Sequence, residues 1–306
     1  MSIVIIAPTR DSQQWIVPLK NEDESLQVFD YEEVVDKSTI ECAIVWLHPY
    51  GVLQEFPNLR MICSMGAGVD HILNDPFLPD VPVTRVVSDR LARSMKTYVA
   101  MGVLNYHRNI YKYQDDQRNH VWDQDTFPEL DTRVGVFGFG QLGQEIGLAV
   151  SNLGFEVYGY SQSGRGAHGI QCFAKDQMDQ FLARVNVLVG VLPMTSDTEG
   201  IFSKTLFDRF QSPKYLINIG RGKQQVEKDI VEALDKNVLS GALLDVFEKE
   251  PLEDKSPLWN HPKVVLTPHI AGITNPEAAV PQIVANYHAM KKGNPLDHVV
   301  DPQKGY

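Results

Sequence analysis

The sequence predicts an α/β fold built from two doubly wound parallel-sheet units, and three observations predict it. Short apolar, β-rich runs recur along the chain, separated by mixed polar stretches of helical or loop length, the alternation of a parallel sheet wrapped by helices. The series is interrupted by one Pro-free stretch around residue 100 and restarts beyond residue 130. At 306 residues the chain also has the length of about two average domains.

In order, "IVIIAP" from residue 3, "CAIVWL" from 42, "MICSMG" from 61 and "VPVTRV" from 81 read as strands of the first unit. Residues 94–118, "SMKTYVAMGVLNYHRNIYKYQDDQR", hold no Pro and only one Gly, Gly102, with apolar residues at helical spacing. They predict one long helix bridging into the second unit. After the loop "NHVWDQDTFPELDT", strands follow at "RVGVFGFG", "EVYGYS", "VNVLVGVLP", "KYLINIG", "GALLDVF" and "VVLTPHI", with "KDIVEALDKN" (228–237) as a helix between two of them. The tail from Pro276 is helical in pattern and is expected to return to the first unit. The second unit, 99–274, is therefore expected as an insertion in the first, 1–98 with 275–306.

Composition narrows the function classes. With 43% hydrophobic and 22% charged residues the chain reads as a soluble globular protein, and its formal net charge of −11 disfavours nucleic acid and anionic membranes as partners. No apolar run reaches the roughly 18 residues that span a bilayer, and "MSIVIIAPTRD" lacks the basic start and cleavage site of a signal peptide. Cys42, Cys63 and Cys172 form no CxxC pair, which argues against a disulfide framework or a zinc site and for a reducing cytoplasm; no metal is expected.

"GVFGFGQLG", residues 135–143, spaces Gly138, Gly140 and Gly143 as GxGxxG. The pattern alone is weak, and a glycine turn without a ligand is its ordinary alternative. Here a strand candidate precedes it and a helical pattern follows, ending near Gly154, so the run reads as a Rossmann phosphate cradle. The backbone of Gln141 and Leu142 would face the pyrophosphate. An acid at the end of the next strand would bind the ribose of NAD, but Ser161 stands there, followed by Gln162, Ser163 and Arg165. Hydroxyl and amide donors with one cation suit a 2′-phosphate, so NADPH is preferred, with NADH still admitted; the alternative is that "SQSGRG" is a solvated loop.

Arg221, Glu250 and His269 each follow a predicted strand of the second unit, where strand carboxyl ends gather at the crevice. Singly, each has an ordinary reading as a surface or structural residue. As a set they offer a cation for a carboxylate, an imidazole to move a proton, and a carboxylate to orient that imidazole.

At these residues the sequence resembles the D-isomer-specific 2-hydroxyacid dehydrogenase family. "GVFGFGQLG", "LPMTSDTEGIF", "INIGRG", "GALLDVFEKEPL" and "LTPHIAG" occur in the family's order, and "SMGAGVDHI" (64–72) resembles its substrate-side glycine loop. "VWLHP", "SPLWNHPKVVLTPHIAGITNP" and the closing "KGY" are similar to the glyoxylate/hydroxypyruvate reductase A subgroup. The resemblance implies a Rossmann dinucleotide-binding domain inserted in a flavodoxin-like substrate domain. It further implies that Arg221 binds the substrate carboxylate and carbonyl, Glu250 pairs with His269, and His269 is the general acid. Asp245 would face the nicotinamide, Leu192 and Pro193 would line the adenine side, and Thr198 would lie close by. Backbone N–H groups around Ala67 and Gly68 would hold the substrate carboxylate, Trp46 would wall the pocket, and Trp122 would belong to the arm of a homodimer. The implied activity is NADPH-dependent reduction of glyoxylate or hydroxypyruvate. A dehydrogenase for another 2-hydroxy acid, or a dinucleotide-sensing binding protein of the same fold, are the alternatives.

Overall fold

The computed structural model describes residues 2–124 and 129–302. The chain divides into two compact units, Met1–Leu91 with Ile273–Tyr306, and Ala92–Gly272. The expected junctions were 98/99 and 274/275. The first of these lies within a single helix, Asp89–His107, whose sequence carries no signal at the point where its packing changes.

In the first unit, β1 (Ser2–Ile6), β2 (Gln27–Asp30), β3 (Cys42–Val45), β4 (Met61–Ser64) and β5 (Val83–Thr84) form one sheet in the order β2-β1-β3-β4-β5. Every neighbouring pair is parallel, with Ile3 opposite Cys42 and Cys42 opposite Met61. This is the flavodoxin-like order. The strands β1, β3 and β4 are buried along their whole length, as expected where helices cover both sheet faces. Helices Gln13–Glu22 and Pro276–Lys292 pack together over one face, burying Trp15, Leu19, Ile283 and Tyr287. The tail thus packs within the first unit. Asn275 caps that last helix by accepting from the Ala278 N–H, Pro276 occupies its first turn, and left-handed Gly293 ends it.

In the second unit, β6 (Arg133–Phe137), β7 (Glu156–Tyr160), β8 (Gln171–Phe173), β9 (Val187–Gly190), β10 (Lys214–Asn218), β11 (Leu239–Leu244) and β12 (Val264–Leu266) form an all-parallel sheet. The order β12-β11-β10-β9-β6-β7-β8 reverses direction at the β6/β9 pair, the Rossmann switch point, where the carboxyl strand ends open a crevice.

One predicted element is corrected. The single helix over 94–118 is two, Asp89–His107 and Ile110–Arg118, because Asn109 between them takes the left-handed conformation (φ +53°) that asparagine tolerates. Both pieces keep the apolar spacing, so the pattern reads through the break. Gly102 in the first piece packs closely: a Cβ there would lie 2.6 Å from a Leu243 methyl of β11, so a larger residue would have to displace that side chain.

Candidate active site

Three glycines shape the turn between β6 and the helix Gln141–Ser151, each for a different reason. Gly138 has φ +118°, and a Cβ on it would meet the Val191 carbonyl oxygen at 2.7 Å. A Cβ on Gly143 would stand 2.0 Å from the Gly138 oxygen, so only glycine lets the helix seat against the strand turn. Gly140, the N-cap, has nothing within 4 Å of that position. Open space at the middle glycine lies beside the first-turn N–H groups of Gln141 and Leu142, which have no intrahelical carbonyl and can donate to an anion. The turn is tied down by the Gly138 and Phe139 N–H groups, which both donate to the Tyr160 carbonyl.

The segment after β7 is a hydrogen-bonded turn. Ser161 Oγ accepts from the Gly164 N–H at 3.2 Å and lies 3.3 Å from Cys172 Sγ, while Ser163 Oγ accepts from the Arg165 N–H. Gln162 and Arg165 are exposed beside it. After β9, Thr198 Oγ1 donates to the Pro193 carbonyl at 2.7 Å. The Gln224 amide donates to the carbonyls of both Leu192 and Pro193 at 2.9 Å.

Gln224 also accepts from the Arg221 N–H, so one buried side chain joins the Leu192–Pro193 loop to the turn that presents Arg221. Asn218 and Gln225 complete that turn, through Gly220 N–H to Asn218 Oδ1 and Gln225 Nε2 to the Val246 carbonyl. A Cβ on Gly222 would collide with the Phe247 carbonyl, which places the Arg221 turn directly against the segment leading to Glu250. None of these amides was singled out from sequence. The only signal was a pair of glutamines between a buried strand and a helix.

Glu250 and His269 meet. Their Oε2 and Nδ1 atoms are 2.7 Å apart, each side chain about a third exposed, and Glu250 Oε1 accepts from the Phe247 N–H at 3.0 Å. Burial pushes the Glu250 carboxyl up, but the hydrogen bond and charge of His269, the Phe247 N–H and the Arg221 charge outweigh it and leave the group below the ordinary glutamate range. With Nδ1 committed to the carboxylate, Nε2 is the nitrogen left to exchange a proton. His269 itself has φ +55°, a strained position for a non-glycine residue.

Asp245 holds that strained turn. Its carboxylate is buried and accepts from Thr267 Oγ1 at 2.6 Å and from the Ile270 and Ala271 N–H groups at 2.8 Å, while its carbonyl accepts from the His269 N–H. Burial raises its pKa above the ordinary aspartate value despite these donors. Thr267 is hydrogen-bonded in turn to Tyr98, a second residue that sequence reasoning did not find.

In the first unit, the loop after β4 is folded on Ser64, whose hydroxyl donates to the Gly68 carbonyl at 2.7 Å and accepts from the Gly66 N–H. The Ala67 and Gly68 N–H groups make no hydrogen bond among the described residues. Trp46, at the end of β3, is half-buried and touches this loop: a Cβ on Gly66 would lie 3.0 Å from its ring. Trp122 is 87% exposed; part of the loop it belongs to, and the closing "KGY", lie outside the described residues. Among the described residues no group of His, Cys, Asp and Glu could hold a metal ion, and no helix is long and apolar enough to cross a membrane.

A glycine cradle at one strand end of a Rossmann sheet and a carboxylate-backed histidine at another define a dinucleotide-dependent oxidoreductase. Residues 100–271 match the family model described as D-isomer specific 2-hydroxyacid dehydrogenase, NAD binding domain. The chain belongs to the D-isomer specific 2-hydroxyacid dehydrogenase family. It is 35% identical over 314 aligned residues to the glyoxylate/hydroxypyruvate reductase A of Serratia proteamaculans, with all of both chains covered. Among solved structures, it is similar to the family member from Xanthobacter autotrophicus Py2 in complex with NADPH and MES (34% identity, TM-score 0.95, 100% of this chain and 99% of that one). It is also similar to the NADPH-dependent glyoxylate/hydroxypyruvate reductase of Sinorhizobium meliloti in complex with NADP and sulfate (36% identity, TM-score 0.94, the same coverage).

Proposed function

We propose that the protein reduces a small 2-keto acid, glyoxylate or hydroxypyruvate, to glycolate or D-glycerate, with NADPH as its preferred cofactor. The observation that carries the proposal is the His269–Glu250 pair at 2.7 Å, a proton donor held by a carboxylate in the same sheet as the glycine cradle. When bound, the dinucleotide supplies the hydride for C2 of the acid. Gly138, Gly140 and Gly143, with the N–H groups of Gln141 and Leu142, hold its pyrophosphate. Ser161, Gln162 and Arg165 receive the 2′-phosphate, Leu192, Pro193 and Thr198 line the adenine side, and Asp245 serves the nicotinamide end. That NADPH and NADP accompany the Xanthobacter and Sinorhizobium relatives supports this preference.

Protonated His269 gives the Nε2 proton to the carbonyl oxygen as negative charge develops there, and Glu250 stabilises the imidazolium beforehand. Arg221 orients the carboxylate and offsets the alkoxide charge. In the first unit, Ala67 and Gly68 offer N–H groups to a substrate carboxylate, and Trp46 limits the size of the acid. We further propose a homodimer in which Trp122 is covered, and a reducing, cytoplasmic setting that suits three unpaired cysteines. Steady-state rates with NADPH and NADH on glyoxylate and hydroxypyruvate test the reading. A higher kcat/KM with NADPH on at least one acid is expected, and tight NADPH binding without turnover of either would replace the enzyme by a sensor.

A further inference from the structure

We propose that Arg10 determines substrate selectivity by donating hydrogen bonds to an acceptor group on C3 of the 2-keto acid, a hydroxyl or a second carboxylate; this rests on the reading just given. Arg10 ends the turn "APTR" after β1, where its N–H donates to the Ala7 carbonyl at 3.0 Å and Pro8 sits at the position that suits a turn. Its guanidinium lies over the Trp46 ring, 4.6 Å from the centroid. The residue is exposed, and its guanidinium makes no hydrogen bond or ion pair among the described residues. A planar fork of donors is therefore fixed in direction by the ring beneath it and left unspent.

The fold places this fork beside the other substrate-side groups of the same unit. The strands β1, β3 and β4 are consecutive in the sheet and parallel, so Arg10, Trp46 and the Gly66–Gly68 loop stand in that order along one carboxyl edge. Trp46 is the element they share: Arg10 lies on its ring, the Gly66 position is 3.0 Å from it, and the His71 ring is 4.8 Å from it between centroids. The next residue, Leu47, has φ +48°, a conformation that a bulky residue adopts only when its surroundings impose it. Ring and guanidinium are held in place before any ligand arrives. Glyoxylate has no C3 and gives Arg10 no partner, whereas hydroxypyruvate offers a C3 hydroxyl and a 2-keto diacid such as oxaloacetate offers a carboxylate on C3.

The test uses Arg10→Met, which keeps an aliphatic stem on Trp46 and removes the donors, and Arg10→Lys, which keeps the charge. In the full chain, the ratio of kcat/KM for hydroxypyruvate to that for glyoxylate should fall about tenfold in Arg10→Met, the size of one charge-assisted hydrogen bond. The oxaloacetate ratio should fall further, with Arg10→Lys in between. Equal losses on all three acids, leaving the ratios within about twofold, would overturn the proposal and leave Arg10 as a support for Trp46. Should the wild-type chain turn over none of them, the reading above fails, and binding decides Arg10 separately. Quenching of the Trp46 fluorescence, identified by its loss in Trp46→Phe, by the hydroxydiacid tartronate should need several-fold more ligand in Arg10→Met; an unchanged titration would refute the assignment.

Discussion

Replacing Asp245 with asparagine perturbs a single atom of the turn that carries His269. Oδ1 accepts from Thr267 Oγ1 and the Ile270 N–H, and Oδ2 accepts from the Ala271 N–H, in a setting where Asp245 and Ala271 are each 1% exposed. Asparagine can keep the Oδ1 pair, but its NH₂ then faces the Ala271 N–H, donor against donor. A lost hydrogen bond to a charged group costs about 1.5–3 kcal/mol, and the stranded buried N–H adds to it. Against this, the amide removes a buried charge whose cost is visible in the raised pKa of Asp245. We expect a net loss of about 2 kcal/mol, or roughly 4–8 °C in the melting temperature of a unit of this size. The His269 turn loosens with it, so kcat on glyoxylate should fall about tenfold or more, since placement within a fraction of an ångström governs proton transfer. Calorimetry and steady-state kinetics on Asp245→Asn, with Asp245→Ala as the more severe case, provide the assay. A melting temperature within about 1 °C of wild type together with unchanged kcat would refute the claim that Asp245 holds this turn.

Three further outcomes follow from the same structure. Glu250→Gln keeps an acceptor for the Phe247 N–H but removes the charge facing His269; the difference between charged and neutral hydrogen bonds, about 1–2 kcal/mol, predicts a 5- to 30-fold lower kcat with little change in NADPH affinity by fluorescence titration. Gly140→Ala points into open space and should melt like wild type while losing about tenfold or more in NADPH affinity, whereas Gly143→Ala, whose Cβ would meet the Gly138 oxygen at 2.0 Å, should lose both stability and affinity. Lys214 is buried with Nζ donating to the Leu182 and Val185 carbonyls, and burial lowers its pKa from 10.5 to about 8. Between those values the unfolded chain binds the extra proton, so stability from this group rises with pH across that window, by at most about 1.4 kcal/mol per unit. Urea titrations from pH 8 to 10 should show this increment in wild type and not in Lys214→Met; parallel curves would contradict it.

How far the sequence could be read depended on burial. Strands with helices on both faces, such as β1, β3 and β9, are continuous apolar runs and were visible as such. The edge strands β2 and β8 were not: "QVFD" buries only Val28 and "QCF" only Phe173, too little pattern to separate from a loop. Asn109 breaks a helix without disturbing its periodicity, because the break is a backbone dihedral. At the site, Glu250 and His269 could be paired from strand ends and resemblance, since both lie in short motifs. Gln224 and Tyr98 could not, because a polar side chain that braces a turn from a distant segment leaves no periodic trace.

The most direct measurement of the central claim is the steady-state oxidation of NADPH with glyoxylate by wild type and His269→Ala. With His269 as the general acid, NADPH binding should be nearly unchanged and kcat lowered about 10²- to 10⁴-fold, the range for loss of a positioned general acid. Turnover close to wild type in His269→Ala would contradict it.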